Sequence, residues 1–193
     1  MALPDTLKLV IGTAKVFSND AGSEYSPSDP GQPTGTDATI DLQNILTAGA
    51  ARQSVKLDLG SVNLDALWTM KAYIEWFTTA PTAGGTVDFY LGFSHDATAG
   101  EDNPGNLSGT DAAFTGYGAT VATGTAALKQ LTYVGSLVAT NEVDLQVQTV
   151  GVFQPTARYC CLVVVTNSSV ALAVTDAIET GVAIWPVQHQ VQD

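Results

Sequence analysis

Basic side chains are scarce in this sequence, and so is charge of either sign. Seven Lys and Arg stand against 19 Asp and Glu, for a net charge of −12, and charged residues make up only 13% of the 193. A soluble globular domain usually carries about twice that fraction. A chain this acidic, with no cluster of cations, repels phosphate backbones, so nucleic acid is not an expected partner. Long apolar runs are missing too. No stretch approaches the ~18 apolar residues of a spanning helix. The start MALPDTLKLVIGTAKVF has no charged segment leading into a long apolar one. The expectation is a protein made in the cytoplasm, neither exported nor held in a membrane.

Cysteine and histidine are equally sparse, two of each. Cys160 and Cys161 are adjacent in RYCCLVVV. Neighbouring strand residues point to opposite faces, so a disulfide between them needs unusual backbone geometry, and the pair reads as two reduced small hydrophobes. With His95 and His189 far apart and no cysteine pair at ligand spacing, zinc is not expected. GxSxG, GxGxxG and GxxxxGK[ST] are all absent, and the glycines punctuate turns instead. The chain is read as non-enzymatic and free of cofactors.

What is present is period-two alternation from end to end, with little helical periodicity, which marks an all-β chain. In LWTMKAYIEWF, Trp68, Met70, Ala72, Ile74 and Trp76 form one stripe against Thr69, Lys71, Tyr73, Glu75 and Phe77. VDFYLGF sets Val87, Phe89, Leu91 and Phe93 inward with Asp88 and Tyr90 outward, and the turn TTAPTAGG suggests that the two strands form a hairpin. SVKLDLG places Val55, Leu57 and Leu59 opposite Lys56 and Asp58. In YCCLVVV both faces are apolar, which predicts a central strand covered on each side by loops or by a neighbouring subunit. Thr6 to Phe17 reads as one strand, Asp111 to Phe114 as a short helical turn, and Pro186 puts the last strand at an edge or close to its end. Closure of about eight to ten strands gives a single domain over 1–193, a two-sheet antiparallel β-sandwich of jelly-roll type.

Two segments interrupt the pattern. Residues 18–41 are rich in Pro, Gly, Ser and Asp and read as a long exposed loop or arm, in which Tyr25, Pro27, Pro30 and Pro33 are the interface candidates. The acidic loop after Phe93 offers Asp96, Glu101 and Asp102 as a calcium candidate beside His95 and Asn103. The spacing of an EF-hand is absent there, and a solvated loop is the favoured reading.

The segments TAPTAGGTVDFYLGFSHDATAGEDNPGNLSGTDAAF, LKQLTYVGSLVAT and VGVFQPTARYCCLVVVTNSS, in that order, resemble small virion structural proteins of tailed bacteriophages. The likeness runs roughly from Ser54 to the C-terminus and carries no catalytic motif. It implies a place in the virion as a minor capsid, decoration or head-fibre component. The expected partners are capsid or other virion proteins and further copies of the chain itself, a trimer being one such form. The alternative is a carbohydrate- or receptor-binding module of a phage fibre or adsorption device, with exposed aromatics such as Tyr25 or Tyr117 lining a groove. Scarce charge suits the first reading, because neutral surface loses less hydration when a partner covers it.

Overall fold

The computed structural model describes residues 6–18, 37–42, 50–61, 64–76, 79–115, 126–172 and 180–192; the side chains of 6–10 and 188–192 lie outside that description. Tyr25, Pro27, Pro30 and Pro33, and with them most of the expected arm, fall outside the described residues. Twelve strands lie within them: β1 (Thr6–Ile11), β2 (Lys15–Ser18), β3 (Ala38–Thr39), β4 (Ala51–Gln53), β5 (Leu57–Asp58), β6 (Leu67–Ile74), β7 (Thr86–Ser94), β8 (Ala112–Ala113), β9 (Thr132–Val138), β10 (Gln146–Phe153), β11 (Tyr159–Thr166) and β12 (Gly181–Gln192).

The strands form two sheets. Sheet A has the order β10-β6-β12-β2-β3, with β1 beside the far half of β12, and sheet B has the order β8-β4-β11-β7-β9, with β5 following β4 along β11. All pairs are antiparallel except β2 with β3. The orders β2-β12-β6-β10 and β4-β11-β7-β9 are those of the two four-stranded sheets of a jelly roll, the expected class of sandwich.

Period-two patterning decides what each strand buries. The stripe Trp68, Met70, Ala72, Ile74 and Trp76 of sheet A meets Val87, Phe89 and Leu91 from β7 and Cys160, Leu162 and Val164 from β11 across the core. Each buried Trp removes about 150–250 Å² from water. At about 25 cal/mol per Å² each contributes several kcal/mol. The other face of β11, Cys161, Val163 and Val165, is closed by Leu107, Phe114, Leu128 and Leu131 from the long connection between β7 and β9. The two apolar faces of YCCLVVV are thus covered from within the chain.

Five expectations need correction. The strands β6 and β7 form no hairpin: β6 pairs with β10 and β12, β7 with β9 and β11. Their apolar stripes face each other across the core, and the connection between them carries the chain from one sheet to the other. The last strand is not at an edge, since β12 lies between β6 on one side and β2 and β1 on the other and runs through Pro186. Pro186 is tolerated because its carbonyl, which accepts from Gly12 N at 2.9 Å, faces the break between β1 and β2, and its nitrogen points the same way, where no ladder donor is required. That break, Gly12–Ala14, also divides the single strand expected over Thr6 to Phe17. Ala112–Ala113 is a short strand against β4, not a helical turn; the described α-helical residues are 126–128. The end of the supposed arm is not exposed: Ala38 and Thr39 pair with β2, and Ile40 and Leu42 are buried in the core.

The edge strands β9 and β10 close one side of the sandwich. Gln148 Oε1 accepts from Val138 N and Gln146 Oε1 from Thr140 N, both at 3.0 Å, so side-chain amides occupy edge donors that could otherwise recruit another strand. Between them the backbones nearly touch. A Cβ on Gly135 would lie 1.9 Å from the Val150 carbonyl oxygen, and one on Gly151 would lie 2.2 Å from that of Val134. Gly135→Ala is therefore expected to cost about 2–3 kcal/mol in urea unfolding, because main chain must move on both sheets. Gly100→Ala, where a Cβ meets nothing within 4 Å, should stay within about 0.5 kcal/mol of the parent.

Candidate functional site

The acidic loop that follows β7 is organised around a cation, and the cation is the chain's own. Lys56 Nζ donates to the carbonyl oxygens of Asp96 (2.9 Å), Thr98 (2.7 Å) and Glu101 (2.9 Å), and to Ser94 Oγ at 3.0 Å. Three main-chain oxygens and a hydroxyl around one positive centre is the kind of oxygen shell a metal ion takes. Here the lysine, sent out from the edge of sheet B by the residues preceding β5, occupies its centre.

The carboxylates named as a calcium candidate do not converge. Asp96 Oδ1 accepts from Thr98 N at 2.7 Å and Asp102 Oδ2 from His95 N at 2.7 Å, while Glu101 enters through its carbonyl. Hydrogen bonds from Thr98 hold the Asp96 carboxyl below its ordinary value. Each acid stabilises a turn; Asp102 itself takes the left-handed φ of 53° that Asp tolerates better than most residues. Among the described residues, no three His, Cys, Asp or Glu side chains are grouped as a metal site. A second anchor lies nearby, where Asp111 Oδ1 accepts from Arg52 Nε at 2.7 Å and from Asp41 N at 3.1 Å, tying the loop to β4 and the N-terminal segment. That bond raises the guanidinium pKa further.

The adjacent cysteines sit on opposite faces of β11, both buried and both free thiols. Burial pushes Cys161 up to about 11 and Cys160 well above its ordinary 9.0.

The outer face of sheet A is where apolar surface is left uncovered. Across the register, Ile11, Val187 and Leu67 form one outward row on β1, β12 and β6, and Trp185, Thr69 and Val152 form the next on β12, β6 and β10. Ile11 is 64% exposed, Val152 60% and Leu67 51%. Further along, Val16, Tyr73 and Ala183 are buried, with Leu145 and Trp185 packed against them. Lys71, lying over the Tyr73 ring at 5.5 Å to its centroid, is the one charged side chain at the outward strand positions from these rows to Tyr73. Among the described residues no carboxylate occupies those strand positions; Asp37, bonded to Val16 N at 2.9 Å, and Glu75, just beyond Tyr73, stand at the margins.

A different surface lies at the β7–β9 end of sheet B. There Tyr90 and Tyr133 stand opposite each other with ring centroids 5.2 Å apart and tilted by 53°. They line a cavity of about 410 Å³ together with Asp88, Leu128, Lys129 and Leu131. Asp88 accepts from Asn167 Nδ2 at 2.7 Å and from Ser136 Oγ. Alternation had placed Asp88 and Tyr90 outward; Tyr133 joins them only through strand pairing.

Tyr117, the other aromatic expected in a groove, lies outside the described residues. No known family model matches the chain, and no curated protein is significantly similar to it.

Two outcomes are expected. Lys56→Met should destabilise the fold by about 1–2 kcal/mol and speed amide exchange over residues 94–102, since three carbonyls lose their ammonium donor and Ser94 Oγ reaches only those of Asp96 and Glu101. Both thiols should resist a disulfide reagent until the protein unfolds. The unfolded thiols ionise near pH 9 whereas the folded ones keep their protons, so unfolding releases protons above that pH. The thiol contribution to stability should thus be constant below pH 9 and decline as the pH rises towards about 11, as read by urea midpoints across that window.

Proposed function

We propose that the protein is a non-enzymatic structural subunit of a tailed-phage virion, an auxiliary capsid or decoration component that docks on the particle exterior as a homo-oligomer. The observation that carries this reading is the exposed apolar surface of sheet A, whose described outward strand positions from Ile11 and Leu67 to Tyr73 hold no carboxylate. Copies that each bear a net charge of −12 repel one another, and any contact between them costs least where no carboxylates meet. Burying Ile11, Leu67, Val152 and Trp185 against a second copy removes apolar area from water without desolvating an ion. The resemblance to small phage virion proteins supports the same reading, as do the scarcity of charge and an acidic total that avoids packaged DNA.

The test is sedimentation velocity on the full chain and on Leu67→Asp with Val152→Asp, followed by co-sedimentation with capsids assembled without this subunit. The parent should associate and bind the capsids. The double variant should keep its thermal stability, since both side chains are exposed, but weaken self-association at least about tenfold, or about 1.4 kcal/mol. A parent that stays monomeric at all concentrations, or fails to sediment with capsids, would overturn the reading.

A further inference from the structure

The cavity at the β7–β9 end of sheet B has chemistry that an assembly face does not need. We infer that Tyr90, Tyr133 and Asp88 form a binding subsite for a neutral hexopyranose residue of a glycan, on the opposite sheet from the proposed docking face and independent of it.

The first argument is the aromatic pair. Tyr90 is half-buried against the layer that covers β11, so its ring is held in place, whereas Tyr133 is 54% exposed. An exposed ring does little for the core, but it offers a flat face to the C–H side of a sugar while the hydroxyls point sideways. The register shift between Phe89 and Tyr90, with Val134 as the extra residue on β9, sets Tyr133 opposite Tyr90. Such a bulge re-aims a side chain.

The second argument is the fixed polar wall. Asn167 and Ser136 hold the Asp88 carboxylate, and the Tyr133 hydroxyl joins the same chain through Ser136 Oγ. An ionised carboxylate has about four lone-pair sites. Two are taken, which leaves acceptors whose direction is already set. Lys129 lies on the same cavity and supplies a donor. A sugar hydroxyl both donates and accepts, so a fixed carboxylate and an ammonium beside two rings match it, whereas an apolar protein side chain would gain nothing from the carboxylate.

Size and charge narrow the class. A volume of about 410 Å³ is at the small end of ligand pockets, which run from about 300 to 1,000 Å³, and admits one ring with its neighbours extending outwards. Asp88 in the wall and a net charge of −12 disfavour uronic and sialic acids, leaving neutral hexoses.

The experiment is calorimetric titration of the full chain with a panel of neutral oligosaccharides: glucans, galactans and mannans of both anomeric linkages. At least one should bind. Tyr133→Ala should weaken that binding about tenfold or more, as should Asp88→Asn, while Tyr133→Phe, which keeps the ring, should stay within about threefold. Unchanged thermal unfolding of Tyr133→Ala shows that the loss is local. If no glycan in the panel binds, or if binding survives Tyr133→Ala, the inference fails. It fails equally if Tyr133→Ala abolishes self-association, because the cavity would then belong to a protein contact.

Discussion

Strand β11 imposes the condition that the remaining structure meets. From Cys160 to Thr166 every residue is buried, on both faces, so each face must be supplied with a cover. One cover is sheet A, through the jelly-roll core. The other is the long connection from β7 to β9, which lays Leu107, Phe114, Leu128 and Leu131 over Cys161, Val163 and Val165. An irregular segment has no ladder to hold its main chain, and Lys56 fastens this one by donating to three carbonyls at once. The acidic loop is thereby a structural cover fastened by an internal cation, and its carboxylates shape turns.

The same accounting gives the two sheets different outer faces. Sheet B is closed by its own chain over β11 and carries a cavity at its Tyr90–Tyr133 end. On the outer face of sheet A, among the described residues, Leu145 packs against Val16, Tyr73 and Ala183, while Ile11, Leu67 and Val152 stand in water. Apolar residues scattered singly on a surface need no explanation, but adjacent rows across three strands form a patch of the kind that marks an interaction site. The proposed assembly role is the use such a face has in a protein with a net charge of −12.

Much of this was legible in the sequence because strand periodicity reports which face a residue takes. The Trp68–Trp76 stripe, the inward Val87, Phe89 and Leu91, the opposed cysteines and the doubly apolar YCCLVVV all follow from local alternation. Partner choice does not. Whether β6 lies beside β7 or across the core from it depends on contacts far apart in the chain, and the same stripes fit both arrangements. Pro186 misleads for a related reason: its cost vanishes only because β1 and β2 break opposite it. Alternation marks Lys56 only as an outward polar position and gives no sign of its role, since its acceptors are main-chain carbonyls that any residue type supplies. Asp88 and Tyr90 were visible as an outward pair, but Tyr133 meets them only once β9 takes its register.

Tryptophan fluorescence separates the proposed docking face from the rest of the molecule. Trp68 and Trp76 are each 1% exposed, so Trp185, in the apolar rows of sheet A, is the indole that a quencher reaches. Acrylamide quenching followed from dilute to concentrated protein, alongside sedimentation, reports directly on that face. The account predicts that quenching falls in step with association. Quenching that stays constant while the protein associates would place the contact elsewhere and contradict it.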